Sequence, residues 1–303
     1  AIERRAPAAD DNRTAARLER ARAHLTDLLT RFKETYPDVK EARAVIERAY
    51  NLCSDLGLTI KTLRERRLGG LKKFKAHVGA PVRMMLAERL PNAEAIVKRL
   101  GRCAAEAKLD GFRCQVHLRG RKVEIFSRNL ERTTDMFPDI ASAVAASVRA
   151  RSAILEGEAV AVDEATGEFH PFQVTAQRKR KYKIEELARE FPLVFVAFDL
   201  LYADRKDYIN QEYRTRRAAL EKLVKQSAPA KSAKAARPEG RIRVVERVVT
   251  EDASELQEFF DEQIERGLEG VVAKRLDSRY QAGARNFNWI KLKRAYRGEL
   301  SDT

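Results

Sequence analysis

Apolar positions recur at two different spacings along this chain, and the change falls near position 79. Leu18, Leu25, Leu29 and Phe32 lie on one face of a helix that starts near Thr14. Val45, Ile46, Ala49 and Tyr50 repeat the pattern in a second helix from about Glu41, for which Gly57 is the expected stop. A short basic helix is expected over 58–66. Nothing here alternates with period two, so 1–78 reads as an all-helical segment, with the polar, proline-containing residues 1–12 fraying at its start.

Beyond Gly79 and Pro81 the period drops to two. Cys114, Val116 and Leu118 alternate, Arg119-Gly120-Arg121 supplies a turn, and Val123 and Ile125 alternate back, which predicts a β-hairpin. Residues 153–162 read as a strand ending in a turn around Ala165-Thr166-Gly167, and 193–202 as a strand apolar enough to be buried on both faces. Thr250 is the expected N-cap of a helix that turns Leu256, Phe259, Phe260 and Ile264 inwards and ends at Gly267. Short strands are expected at 270–274 and 289–293, and a flexible loop at 226–243, rich in Ala, Ser, Pro and Lys. Antiparallel sheet with interspersed helices, and no βαβ phosphate motif, makes the fold class of 79–303 α+β.

Composition narrows the function. The chain has 303 residues, 44% of them hydrophobic, with no apolar run of membrane-spanning length. Cys53, Cys103 and Cys114 have no CxxC spacing, and His24, His77, His117 and His170 are scattered, so neither a disulfide framework nor a zinc site is expected. Lys plus Arg number 60 against 45 Asp plus Glu, a net +15 that favours a polyanionic partner. The charge is uneven. Between positions 61 and 75, Lys61, Arg64, Arg66, Arg67, Lys72, Lys73 and Lys75 face a single acid, Glu65. Arg178-Lys179-Arg180-Lys181 forms a second cluster, also expected to contact phosphates. Aromatic residues are 7% of the chain, which does not indicate a stacking platform for single strands.

The sharpest chemical signal is Glu106-Ala107-Lys108-Leu109-Asp110-Gly111-Phe112-Arg113. A lysine amine is a nucleophile only when neutral, so its surroundings must favour loss of the proton. Lys-x-Asp-Gly alone arises by chance in about one chain of this length in twenty, and a hairpin turn with a solvated lysine would explain it. Four kinds of segment follow in order and lift it above chance: Phe126-Ser127-Arg128-Asn129, then Leu155-Glu156-Gly157-Glu158, then Val196-Ala197-Phe198-Asp199-Leu200, and the late pair Leu268-Glu269-Gly270-Val271-Val272-Ala273-Lys274 and Trp289-Ile290-Lys291-Leu292-Lys293.

With these motifs the chain, over roughly 40–303, resembles the ATP-dependent DNA ligases of archaeal and bacterial type, within the lysine nucleotidyltransferase superfamily. The resemblance implies an antiparallel-sheet nucleotidyltransferase (ATP-grasp-like) adenylation domain at 79–303. It also implies that 1–78 is part of a helical DNA-binding domain, the match being carried by residues 45–57. It makes Lys108 the nucleophile that takes AMP from ATP, with Lys291 and Lys293 lowering its pKa and holding the α-phosphate. Arg113 and Arg128 would hold ribose or phosphate, Phe198 would stack on adenine, Glu106 would accept from the adenine amino group, and Arg285 matches a further ATP-contacting arginine. Glu158 and Glu269 would hold Mg²⁺ or Mn²⁺, with Glu158 also near the ribose.

The implied partner is nicked duplex DNA, met by a monomer in the cytoplasm of a prokaryote, at the nucleoid; a sliding clamp would be reached through a segment not present. The family's core is followed by an OB-fold domain that orients the leaving pyrophosphate, whereas this chain stops ten residues after Lys293. Slow self-adenylation is therefore expected. Rival readings are an RNA ligase or capping-type enzyme with the same core, and a basic DNA-binding module with an inactive nucleotide pocket.

Overall fold

Two sheets gather the segments of period two. The computed structural model describes residues 37–179, 182–224 and 240–294. In it β1 (Leu86–Arg89), β2 (Cys103–Lys108), β9 (Arg247–Thr250), β10 (Gly270–Arg275) and β11 (Arg285–Lys293) form one sheet, ordered β1-β11-β10-β2-β9. The second sheet holds β3 (Phe112–Arg119), β4 (Lys122–Ser127), β5 (Ser152–Ala161), β6 (Leu193–Ala203) and β7 (Lys206–Asp207), ordered β4-β3-β5-β6-β7, with β8 (Ile242–Val244) alongside β6. β1–β11 and β6–β8 pair in parallel. The remaining pairs are antiparallel, as an α+β reading requires.

Side-chain parity decides which face is buried against what. On the first sheet, odd-numbered Cys103, Ala105, Val271 and Ala273, with Ile290 and Leu292, pack under α3 (Ala93–Leu100) and α8 (Ala253–Glu265). Glu106 and Lys108 therefore fall on the opposite face. On the second sheet, Val116, Leu118, Leu155 and Phe195 pack under α4 (Pro138–Ser147) and α7 (Tyr213–Leu223). Polar Arg113, Gln115 and His117 alternate with them and face the other way. A cluster that includes Met85, Ile154, Leu201, Tyr280 and Trp289 joins the two sheets on their inner faces.

The helical part is α1 (Pro37–Cys53) and α2 (Leu56–Leu71). Residues 37–50 and 56–73 form one compact unit, and 51–55 with 74 onward form another. Phe74, Ala76 and Val78 belong to the core of the second unit, which therefore starts a few residues ahead of position 79.

Several local expectations are corrected. α1 ends at Cys53, where Ser54 takes a positive φ of 50°, and Gly57 lies inside α2. The basic helix starts at Leu56 and reaches Leu71, broken at Arg67, whose φ is 56°. Thr250 ends β9, and Asp252 caps α8 by accepting from the Ser254 N–H. The last strand starts at Arg285 rather than at 289, and β8 occupies the end of the expected 226–243 loop. Two short helices, α5 (Phe172–Ala176) and α6 (Ile184–Glu190), and two 3-10 turns, Thr134–Met136 and Gln177–Lys179, complete the described elements. The helix expected from Thr14 and the centre of the 226–243 loop lie outside the described residues.

Candidate active site

Antiparallel register lays the chemistry out in rows. Lys108 on β2, Gly270 on β10 and Lys293 on β11 are direct neighbours across the first sheet. Glu106, Val272 and Lys291 form the next row, and Ala104, Lys274 and Trp289 the one after. Across the second sheet Arg113 faces Glu158. Glu106, Lys108, Arg113, Arg128, Glu158, Phe198, Glu269, Arg285, Lys291 and Lys293 all line one cavity of about 670 Å³. Asp110, Lys274 and Trp289 line it too, without having been assigned a role from sequence, as does Lys179 of the second basic cluster.

Two glycines let the backbone close around Lys108. A Cβ at Gly111 would lie 2.5 Å from the Ala159 carbonyl oxygen, so the turn after Lys108 can approach β5 only as glycine. Gly270 sits at a φ of +135°, and a Cβ there would run into the Leu292 carbonyl. Between them the Glu269 N–H donates to the Lys108 carbonyl at 3.1 Å, which places the Glu269 side chain beside the lysine.

The resting electrostatics differ from a lysine surrounded by cations. The Lys108 ammonium is ion-paired with Glu269, whose other oxygen accepts from Lys293 Nζ at 2.6 Å. Burial would raise the Glu269 carboxyl, but its bonds from Lys108 and Lys293 outweigh that and hold it below the ordinary range. Lys291 is pushed down, first by burial and then by the charges of Arg285, Lys293, Lys108 and Arg128. Burial pushes Glu158 up to about 7, against the pull of Lys108 and Arg113. Asp110 is raised by burial and by the Glu269 charge.

Arg113 pairs with buried Glu156 at 3.0 Å, and Glu156 also accepts from Gln115 at 3.1 Å and Tyr280 at 2.9 Å. That network fixes the guanidinium over the edge of the aromatic pair: its carbon lies 5.4 Å from the Phe198 ring and 5.8 Å from Trp289. Phe198 and Trp289 meet edge to face at 6.1 Å. Phe198 is only partly buried and lines the cavity, so part of its ring is accessible to a ligand. Two buried donors on cavity residues, Arg113 Nε and Trp289 Nε1, have no hydrogen-bond partner. An acceptor-rich ligand would satisfy them.

Glu106 is not a free carboxylate. It is 2% exposed and accepts from Tyr213, Arg217 and Lys274. Tyr213 and Arg217 went unassigned from sequence, although Tyr213, Arg216 and Arg217 at i, i+3 and i+4 share one face of a helix. In the second basic cluster the expected phosphate contact is corrected at Arg178. Arg178 is 1% exposed, forks onto Asp139 through two bonds of 2.9 Å and donates to the Phe191 carbonyl, so it cannot reach a phosphate. Lys179 lines the cavity, while Arg180 and Lys181 lie outside the described residues.

Comparison with known proteins agrees with this geometry. A family model described as the ATP dependent DNA ligase domain matches residues 84–293. A probable DNA ligase of Dictyoglomus turgidum is 50% identical over 264 residues, which cover 87% of this chain and 43% of that protein. A DNA ligase of Hyperthermus butylicus is 44% identical over 264 residues, covering 86% and 41%. The chain thus spans about two fifths of the length of the curated relatives it matches. Among solved structures, the ligase domain of M. tuberculosis LigD superposes with a TM-score of 0.52 at 31% identity, covering 70% of this chain and 60% of that one. Mycobacterial DNA ligase D complexed with ATP and MES gives 0.51 at 28% identity, with the same coverage.

Proposed function

Because this chain belongs to the ATP-dependent DNA ligase domain family, we propose that its cavity forms a lysyl-AMP intermediate on Lys108 and passes the AMP to a DNA 5′-phosphate, so that a nick in duplex DNA is sealed. The observation that carries the reading is the placement of Lys108: at the end of β2, in one cavity with Lys291, Lys293, Arg113, Arg128 and Phe198. The neutral Lys108 amine attacks the α-phosphorus of ATP, a P–N bond forms and pyrophosphate leaves. A 5′-phosphate oxygen then displaces the lysine, and the adjacent 3′-hydroxyl finally displaces AMP as the phosphodiester forms.

The side chains divide the work. Lys291 and Lys293 neutralise the α-phosphate as charge shifts, the dominant form of catalysis in such transfers. Arg113 and Arg128 hold ribose or phosphate with forked donors, and the orphaned Arg113 Nε is a donor in reserve for that contact. Phe198 offers the base a partly open ring face, and Arg285, on the rim beside Lys291, adds positive charge for ATP. Glu158 and Glu269 line the same cavity as Lys108 and are the carboxylates that would hold a divalent cation such as Mg²⁺. Among the described residues no group of three or more His, Cys, Asp and Glu side chains is arranged to hold a metal, so phosphate and water would complete the shell. Such an ion would supply electrophilic assistance at the phosphate.

Residues 37–71 would serve as part of a helical DNA-binding segment. The prokaryotic origin of the two curated relatives supports action at a prokaryotic nucleoid, and among the described residues no helix is long and apolar enough to cross a membrane. The test is incubation with α-labelled ATP. A covalent labelled band, stable to alkali and released by acid as a P–N bond requires, should form with the native chain and vanish in Lys108→Arg, because arginine does not lose its proton. A labelled Lys108→Arg band would overturn the nucleophile assignment.

A further inference from the structure

One helix reaches both carboxylates that flank Lys274. From α7, Arg217 Nη1 donates to Glu106 Oε1 at 2.9 Å and the Tyr213 hydroxyl donates to the same oxygen at 2.5 Å. Three residues along the same face, Arg216 forks onto Asp199 with bonds of 2.7 and 2.9 Å. Lys274 Nζ lies 2.6 Å from Glu106 Oε2 and donates to the Phe198 carbonyl at 3.1 Å. It also sits 4.7 Å from the Phe198 ring centre and 4.3 Å from that of Trp289. All five charged side chains are at most 4% exposed. A buried string of this kind costs much of what its attractions return, so stability alone is a poor account of it.

We propose that Tyr213 and Arg217 are positioning residues that set which nucleobase the cavity accepts, by holding Glu106 and Lys274 as a fixed acceptor–donor pair. The inference rests on the reading of the cavity as a nucleoside triphosphate site. Glu106 Oε1 already takes two donors, whereas Oε2 takes Lys274 alone and keeps one lone pair. Lys274 uses two of its three N–H bonds, and both residues line the cavity. The pair thus offers one acceptor beside one donor. Adenine presents the complement, an amino donor at position 6 beside the N1 acceptor. A 6-oxopurine presents the reverse, an oxygen beside N1–H, and would set acceptor against acceptor and donor against donor. A buried polar group left facing the wrong partner is costly. The order is enforced only while Glu106 cannot turn, and the two donors from α7 prevent that.

The experiment measures the rate of covalent nucleotidyl-protein formation with ATP and with inosine triphosphate, for the native chain, Tyr213→Phe and Arg217→Lys. Inosine differs from adenosine at the edge in question and carries no 2-amino group. The native chain should favour ATP, and each variant should narrow the ATP to inosine triphosphate ratio of kcat/KM by roughly tenfold. Thermal melting should stay close to native for Tyr213→Phe, which loses one oxygen and carries the test if Arg217→Lys does not fold. A structural role would slow both nucleotides equally, and an unchanged ratio in Tyr213→Phe overturns the inference. So does a native chain that labels equally with both. If the native chain labels with neither nucleotide, the nucleotidyl-transfer reading falls and this inference with it; labelling by ATP with an unchanged ratio sinks the inference alone.

Discussion

Phe198 and His117 are both inward-facing residues of the second sheet, yet they have opposite tasks. Phe198 keeps part of its ring in the cavity, braced by Trp289 edge to face and with Lys274 Nζ 4.7 Å from its centre. Phe198→Ala should weaken ATP binding by about 1–3 kcal/mol, by analogy with base–aromatic stacking, and leave DNA binding unchanged. Equal losses for both ligands in a titration would make Phe198 a packing residue instead. His117 is fully buried, with Nδ1 accepting from the Gly79 N–H at 2.9 Å and Nε2 against the Gln115 side-chain oxygen at 2.9 Å. Burial first, then the charges of His77 and Arg119, lower its pKa to about 3. The folded state therefore binds fewer protons than the unfolded chain below the ordinary histidine pKa of about 6.5. This contribution to stability is complete above that pH and lost as pH falls towards the folded value, by roughly tenfold in the folding equilibrium per pH unit. Denaturant midpoints of His117→Gln should show a weaker fall between about pH 6.5 and 5 than the native chain. Parallel curves would rule out His117 as the source.

At the scale of elements, the same residue type serves opposite ends depending on where its strand or turn carries it. Arg178, in the 3-10 turn after α5, ties that segment to α4 through Asp139, whose Oδ2 also accepts from the Leu193 N–H that opens β6 at 3.0 Å. Arg178→Ala leaves Asp139 with only Arg241 at 3.8 Å and the Leu193 N–H, and should cost about 1–3 kcal/mol in chemical denaturation. The salt dependence of DNA binding should not move, because the guanidinium is never offered to solvent. A stable variant with weaker DNA binding would reverse that assignment. The register of β2, β10 and β11 works differently: it spends no side-chain bond, and simply aligns Lys108 with Lys293 and Glu106 with Lys291.

For the whole molecule, the net charge of +15 makes duplex binding by counterion release the expected mode. Among the described residues no recognition helix is identified to read base edges, so binding should be steep in salt and nearly indifferent to sequence. Lys72, Lys73 and Lys75 are exposed, but Lys72 rests on Glu41 at 2.7 Å and so exchanges one ion pair for another. Replacing all three by Gln should flatten the slope of log affinity against log salt by up to about 0.9 for each phosphate that no longer has a cation beside it. An unchanged slope would take this segment off the DNA-facing surface.

Local chemistry was legible in the sequence because it is written in short spacings. Lys108, Asp110 and Gly111 need one another within a single turn, and the hairpin around Gly120 and the strands of 153–162 and 193–202 follow from period two. Those patterns placed the strands in an α+β frame, and the family resemblance carried by the ordered motifs named the residues that meet in one cavity. Caps and strand ends slipped by a few residues, as at Thr250 against Asp252, because a cap depends on backbone angles that neighbouring residue types only bias. What tertiary structure alone decided is who pairs with whom. Glu269 reaches Lys108 from the far end of the sequence, and Arg217 holds Glu106 across 111 positions. Arg178 left the surface because Asp139 met it in the core. A charged side chain carries the same letter whether it faces solvent, phosphate or a buried carboxylate. Its role is set by the dielectric and the counter-charge that the folded chain brings to it.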